Sequence, residues 1–242
     1  MNLSELIYSI KEEPNKKMMN DEIVQFIGYC ITHAHQSKSQ NYQDIWALWE
    51  TNKVESHNKF FVEFGATDGL TSSNTYLLEK YYGWKGILAE PNPTWHADLN
   101  DNRSCNITHD CIFDVTGGQV EFLMTEAADL ATIKGFGADD QFKEERKKSE
   151  VIKVNTITLL DLLNRYDAPN VIDYMSVDTE GSEYGILNTF FNQNNNKYII
   201  RTLTIEHNFT MRDKILGLMT SNGYERKFTD ISRWDDFYVK VS

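Results

Sequence analysis

From residue 59 onward, short apolar runs alternate with stretches whose apolar positions recur at helical spacing. The runs at 59–64, 86–90, 105–111, 119–124, 151–155, 171–177, 198–205, 224–229 and 234–241 read as strands. Between several of them, the 3.6-residue pattern predicts helices over 73–82, 94–100, 158–166, 182–191 and 210–222. Alternation of this kind predicts an α/β fold with a mostly parallel sheet and helices on both faces. Only a few residues join the last two runs, so they are expected as an antiparallel hairpin at one edge.

Residues 1–56 follow a different pattern. Ile23, Phe26 and Ile27 with Tyr29 and Cys30, and then Tyr42, Ile45, Trp46, Leu48 and Trp49, mark helical stripes separated by the polar break H-A-H-Q-S-K-S-Q-N. The expected organisation is an N-terminal helical cap or extension, 1–56, over a main domain, 57–242. The competing reading is a lid or dimer surface that helps to form the substrate pocket. The Trp46 and Trp49 stripe suits a core or an interface, so a homodimer is compatible and the oligomeric state stays open. His33 and His35 have no second ligand pair nearby and read as loop residues. The charged stretch 138–150 reads as a solvated segment flanking the site, and the Gly-Phe-Gly run around Phe136 as a flexible loop before it.

Charge and cysteine usage narrow the function classes. With 24 Lys and Arg against 36 Asp and Glu, the net charge is −12, which repels phosphate backbones and argues against nucleic acid as a partner. No run reaches ~18 apolar residues, so no membrane span is expected. The first residues lack the basic-then-apolar layout of a signal peptide. Cys30, Cys105 and Cys111 show no C-x-x-C spacing, which suits reduced thiols and a cytoplasmic location.

The most informative stretch is F-F-V-E-F-G-A-T-D-G-L-T-S-S-N-T, residues 60–75. A turn that follows the first strand of an open α/β sheet lies where such sheets bind ligands. Glycines let that turn bend and approach a ligand, and Ser72 or Ser73 can cap the helix that follows. A dinucleotide site would want G-x-G-x-x-G; here the spacing is Gly-x-x-x-Gly, with Thr67 in between and carboxylates at Glu63 and Asp68. Acids beside a pyrophosphate repel it, whereas beside a cation they attract it. S-adenosylmethionine carries both an ammonium and a sulfonium. Glu90, at the tip of the next strand, is placed to accept hydrogen bonds from a ribose diol. For Asp68 the alternative is a turn-forming Asp that bonds its own backbone. For Glu90 it is a surface acid before a Pro-rich turn.

Six stretches then taken together resemble the FkbM-type methyltransferases: F-V-E-F-G-A-T-D-G, S-N-T-Y-L-L-E-K, G-W-K-G-I-L-A-E-P-N-P, N-R at 102 and 103, V-D-T-E-G-S-E-Y-x-I-L and I-E-H-N. The resemblance covers 57–242. It implies a class I, Rossmann-like fold: a three-layer sandwich around a mostly parallel seven-stranded sheet with an antiparallel C-terminal hairpin, using S-adenosylmethionine for O-methylation. Carried onto the matching motif positions, it implies donor contacts from Glu63, Gly65, Ala66, Asp68, Gly69, Ser73, Asn74, Thr75, Glu90, Pro91, Asn92 and Asp178. Thr67 departs from the pattern, which often has Asn there.

The later strand tips are polar. One run ends in Asp178-Thr179-Glu180-Gly181-Ser182-Glu183 and the next in Glu206-His207-Asn208. Methyl transfer to a hydroxyl is an in-line displacement that needs alignment and a base or a metal. His207, or an acid of the Asp178 and Glu180 pair, is expected as the base. Asp178 and Glu206 are the expected ligands of a Mg²⁺ ion that would polarise the acceptor oxygen. Glu180 and Glu183 could instead cap the following helix, and His207 could orient an acid. Asp110, Cys111 and Asp114 follow the third strand, where an adenine amino group would lie. The expected partner is a small-molecule hydroxyl acceptor, a sugar or other metabolite. The alternatives are a non-catalytic binding module of the same fold and, third, a nicotinamide-dependent oxidoreductase.

Overall fold

The computed structural model of the chain describes residues 22–53, 58–125, 131–136, 149–207, 210–229 and 232–241. The leader reading of the first residues, Asn208 and all but the end of the charged 138–150 stretch lie outside them. Two helices come first, α1 (Glu22–His33) and α2 (Gln43–Thr51). The sandwich proper starts with β1 (Phe60–Phe64), α3 (Tyr76–Tyr82), β2 (Lys85–Ala89), a 3₁₀ turn at Pro93–Trp95, α4 (His96–Asn102) and β3 (Asn106–Thr108). After four further strands come α5 (Leu159–Arg165), β8 (Val171–Val177), α6 (Glu183–Gln193), β9 (Ile199–Glu206), α7 (Arg212–Ser221), β10 (Tyr224–Lys227) and β11 (Asp235–Lys240).

The main sheet has seven strands in the order β3-β2-β1-β8-β9-β11-β10. Its strands run parallel except β11, which is antiparallel to both of its neighbours. Strand β8, V-I-D-Y-M-S-V, is buried at six of its seven positions, as a central parallel strand covered on both faces should be. The terminal hairpin lies at one edge, as its short connection predicts.

The remaining strands correct the sequence reading. The run expected over 105–111 is two strands, β3 and then β4 (Cys111–Ile112). Strand β4 joins β5 (Gln119–Met124), β6 (Thr132–Ile133) and β7 (Glu150–Ile157) in a separate four-stranded sheet of order β4-β7-β5-β6. The expected strands at 119–124 and 151–155 therefore lie outside the main sheet. Their chemistry explains it: β7 alternates exposed and buried positions from Lys153 to Thr156, the signature of a ribbon with one wet face. The helix expected from residue 73 begins at Tyr76. Ser73 Oγ accepts from the backbone N–H groups of Thr75 and Tyr76 at 3.3 and 3.1 Å, so 73–75 form its capping turn.

Strand alternation sends Phe60, Val62 and Phe64 into the core beneath α5, α6 and α7. Phe61 points to the opposite face, where Phe26 of α1, Ile45, Trp46 and Leu48 of α2, Leu77 and Leu78 of α3 and Leu99 of α4 pack with it. The N-terminal helices thus form part of one layer, and Trp46 is fully buried. Among the described residues, no helix is long and apolar enough to cross a membrane.

Glu63 follows Phe61 on that second face and is buried. It meets Arg103, at the end of α4, whose side chain is wholly buried: Nη1 lies 3.6 Å from Glu63, and Nε is 2.6 Å from Glu79. The same guanidinium donates to the Gly69 carbonyl and Ser73 Oγ, both at 3.1 Å, and to Thr75 Oγ1 at 2.9 Å. Glu63 in turn accepts from Asn74 N at 2.6 Å and Thr75 Oγ1 at 2.5 Å. Burial pushes the Glu63 carboxyl up, with Arg103 opposing. At Glu79 burial also pushes up, but the Arg103 charge and the Ser104 hydrogen bonds outweigh it and hold the group at about 2. One cation therefore ties β1, the turn after it and α3 to α4. Removing one partner of such a buried network leaves the others uncompensated, at a cost of about 3–5 kcal/mol. Arg103→Met should lower the unfolding free energy in urea titrations by that ~3–5 kcal/mol, and a loss below ~1 kcal/mol would show the network to be dispensable.

Candidate active site

The turn after β1 is shaped by backbone geometry. Gly65 has φ +68°, and a Cβ there would lie 2.2 Å from the Asp178 carbonyl oxygen. Only glycine allows β1 and β8 to end in such close apposition. The backbone N–H of Thr67 donates to Glu90 Oε2 at 2.8 Å, and that of Asn92 to Oε1 at 2.7 Å. Glu90 is thereby locked at the tip of β2. It is almost fully buried, and burial, opposed by those two bonds, raises its carboxyl to about 7.

The turn walls one large cavity of about 880 Å³. Small-molecule sites typically run to roughly 300–1,000 Å³, so this one accommodates a nucleoside-sized ligand with space beside it. The sheet order sets its long direction. At one end are Glu90, Pro91, Trp95, Cys111 and Ile112, beside β2 and β4; in the middle are Gly65, Ala66 and Asp178; at the other end are Glu206 and Trp234, beside β9 and β11. From β2 to β9 is three strand intervals, about 14 Å at ~4.8 Å each. Phe122 and Ile133 of the small sheet supply apolar wall.

Where the middle of the cavity meets the β9 end, Asp178, Glu180 and Glu206 each bring a carboxylate oxygen within 4.8 Å of the others. Burial first, then Glu180 and Asp235, push the Asp178 carboxyl well above the usual range. Burial, then Asp178 and Glu180, do the same to Glu206, and the Asp178 and Glu206 carboxyls are hydrogen-bonded to each other. Like charges so close disfavour ionising both, which is why Glu180 raises the Asp178 carboxyl and Asp178 raises that of Glu206. Glu180 occupies the left-handed region, φ +59°, and its carbonyl accepts from Thr132 Oγ1 of β6 at 2.9 Å. Oxygen ligands of this kind are those that hard divalent cations prefer.

Of the residues expected to contact the donor, Glu63, Gly65, Ala66, Asp68, Ser73, Asn74, Glu90, Pro91, Cys111 and Asp178 line the cavity. Four do not. Gly69 packs against Arg103 and Leu99, and Thr75 is held by Glu63 and Arg103. Asn92 accepts from Thr94 N and so caps the 3₁₀ turn. Asp110 is paired with Arg165 at 2.6 Å. Asp68 lines the cavity, yet its carboxylate accepts from Leu70 N, Thr71 N and Thr71 Oγ1, the turn-forming role weighed against ligand binding.

The clearest correction concerns His207, expected as a base. It follows Glu206 at the strand end, and successive strand side chains face opposite ways. Glu206 faces the cavity; the His207 imidazole is buried on the other side, 3.8 Å from Asp236. Burial lowers its pKa although Asp236 opposes that; the imidazole packs against the hairpin and does not line the cavity. Glu183 likewise serves its own turn, accepting from Thr179 N and Gly181 N, each at 2.9 Å. Sequence reasoning missed Gln40, Gln43, Trp95, Thr210 and Trp234 as lining residues. For Gln40 and Gln43 no local signal exists, since a polar residue in a loop or at a helix start looks like any other when it lies over a cleft.

Thr67 adds a testable detail. Its φ of +47° lies in the left-handed region, which a β-branched residue occupies at a cost and which Asn tolerates. Thr67→Asn should therefore raise stability by about 1 kcal/mol in thermal or urea unfolding. A destabilised variant would show that the threonine side chain contributes more than its backbone costs.

One comparison with known proteins identifies a family. The model of the methyltransferase FkbM domain matches residues 63–226. Among solved structures, the precorrin-6y C5,15-methyltransferase of Geobacter metallireducens GS-15 is similar at 10% identity. That likeness covers 84% of this chain and 91% of the other at a TM-score of 0.38, too low to bear on the chemistry of this chain. No curated protein matches.

Proposed function

This chain belongs to the FkbM methyltransferase family, and on that premise we propose that it methylates a hydroxyl of a small-molecule acceptor, with the carboxyl pair of Asp178 and Glu206 taking up the proton. The observation that carries the reading is the single cavity joining Glu90 at β2, the Gly65 turn and Glu206 at β9.

The residues fit S-adenosylmethionine, the usual methyl donor of such enzymes. When bound, it supplies an electrophilic methyl on a sulfonium. The Gly65 approach to the Asp178 carbonyl leaves a cradle that a Cβ would fill. Glu90 keeps acceptor capacity for a ribose diol beyond its two backbone bonds. Cys111 and Ile112 offer an apolar flank on the adenine side, and burial pushes the Cys111 thiol up to about 12, which keeps it neutral there. The acidic centre favours a cationic methyl group over an anionic cofactor.

The chain's own part in transfer is alignment and proton removal. Asp178 and Glu206 lie where an acceptor hydroxyl would face the donor's methyl group. As the new C–O bond forms and the C–S bond breaks, the acceptor's O–H electron pair is freed and the proton passes to a carboxylate of the pair. Glu206→Gln should lower kcat by about 10²–10⁴-fold while leaving the Kd for S-adenosylhomocysteine within a factor of a few. An unchanged kcat would remove Glu206 from the reaction.

A second reading has its own observation, the three carboxyls within 4.8 Å. Asp178, Glu180 and Glu206 would hold Mg²⁺, which would supply Lewis-acid polarisation of the acceptor oxygen. Turnover with and without EDTA separates the two: insensitivity supports the base, and full loss restored by Mg²⁺ supports the metal.

Glu90 gives a pH signature. Ribose hydroxyls donate to its ionised form, so binding favours that form. Affinity for S-adenosylhomocysteine, measured by titration calorimetry, should be greatest above pH 7 and fall as pH drops through about 7. In Glu90→Gln the affinity should be weaker and flat over that window; an unchanged pH dependence in that variant would assign the effect elsewhere.

A further inference from the structure

The acceptor half of the cavity is built by a segment that the family match does not include. Residues 37–43 precede the matched span, 63–226, yet Gln40 and Gln43 line the cavity with Ser72, Thr210, Glu206 and Trp234. This strap is held at three points. Asp44, fully buried, accepts from Ser37 Oγ and Ser39 Oγ, each at 2.7 Å, and from Lys38 N at 3.3 Å. Asn41 and Gln43 side-chain amides donate to Asp235 at 3.0 and 2.9 Å, at the start of β11. Ser39 bridges to Ser72, and Gln40 Nε2 donates to Ser72 Oγ at 3.3 Å. The strap thus spans from the turn after β1 to the terminal hairpin, on the side of the sheet away from Glu90.

The chemistry of that half is specific. Gln40 presents an amide at the surface, Ser72 and Thr210 present hydroxyls, and the half-buried Trp234 presents a ring. Glu180 and Glu206 close the inner end. Among the described residues, no Lys, Arg or His lines the cavity, whereas six acids do: Glu63, which Arg103 offsets, Glu90, Asp178 and Glu206, which burial pushes up, and Asp68 and Glu180. Arg233 stacks on the Trp234 ring with its guanidinium 4.5 Å from the centroid but does not line the cavity. A phosphate or carboxylate drawn in here would meet like charge, and two such charges ~4 Å apart repel by about 1 kcal/mol in water and ~4 kcal/mol near a protein surface. Amides, hydroxyls and an aromatic face are instead the groups that bind vicinal hydroxyls and the C–H face of a sugar ring.

Building on the methyltransferase reading, we propose that residues 37–43 form the acceptor wall and select an uncharged, hydroxyl-rich acceptor of glycoside type, excluding phosphorylated and uronic-acid congeners. Gln40 is the specificity residue that touches it. It is exposed and makes no buried bond, so its truncation leaves the fold intact.

The test uses the full chain saturated with S-adenosylhomocysteine. Methyl glycosides of common hexoses and 6-deoxyhexoses, the same hexoses as 6-phosphates, and the matching uronates are titrated by calorimetry. The expected result is binding of at least one neutral glycoside, weakened about tenfold in Gln40→Ala, with phosphate and uronate forms at least tenfold weaker than their neutral parents. The Kd for S-adenosylhomocysteine should be the same in both proteins. Anionic forms that bind as well as neutral ones would overturn the proposal, as would a neutral glycoside indifferent to Gln40. So would the binding of no glycoside while S-adenosylhomocysteine binds, which leaves the donor reading standing. Failure of S-adenosylhomocysteine itself to bind would bring down that reading too.

Discussion

Arg103, wholly buried and shared between Glu63 and Glu79, joins the first strand, the turn after it and helices α3 and α4 through one guanidinium. The turn after β1 is held by this charged network together with the burial of Ala66 in the hydrophobic cluster on the same face. A point charge would not serve as well: the planar fork reaches two acids, a carbonyl and two hydroxyls at once. Glu63 looks like a ligand-facing acid in the sequence, but it is spent largely on this network. What remains for a ligand is the outer surface of the turn, with Glu90 locked beside it by Thr67 N and Asn92 N.

The sheet order turns that anchored turn into one end of a track. Strands β2, β1, β8 and β9 lie side by side, and their carboxyl ends carry Glu90, Gly65, Asp178 and Glu206 in the same succession. Backbone strain gathers along the track: Thr67, Ser72 and Glu180 all have positive φ and all line the cavity. Such conformations cost of order 1–3 kcal/mol each and persist where the surroundings impose them, commonly at functional sites. Burying Asp178 and Glu206 side by side is a further cost of the same kind, and it pushes both carboxyls well above their usual range.

Much of this was legible in the sequence because local pattern and global fold agree. The buried run V-I-D-Y-M-S-V could only be a central strand, and the short link before 234–241 could only turn back on itself. The Gly-x-x-x-Gly turn and the acid at 90 were picked out by their spacing, and Gly65 and Glu90 do line one cavity. What escaped needed three-dimensional information. Splitting 105–111 between two sheets depends on a break at His109 and Asp110, where a lone Asp without Gly or Pro is too weak a turn signal to interrupt the run. His207 was misread because an E-H pair looks like two functional groups, whereas strand alternation sends only one of them into the cavity. Arg103 carried no signal beyond its place in a motif, since its partners lie 24 and 40 positions away in the chain. Gln40 and Gln43 were unreadable for the same reason: their neighbours come from opposite ends of the sequence.

The most direct test is a crystal structure of the full chain with S-adenosylhomocysteine. The ribose hydroxyls are expected on the Glu90 carboxylate and the sulfur beside Asp178, with open cavity left between it, Glu206 and Gln40. An adenosyl group bound on the β9 side, or one that bypasses Glu90 and the Gly65 turn, would contradict this placement.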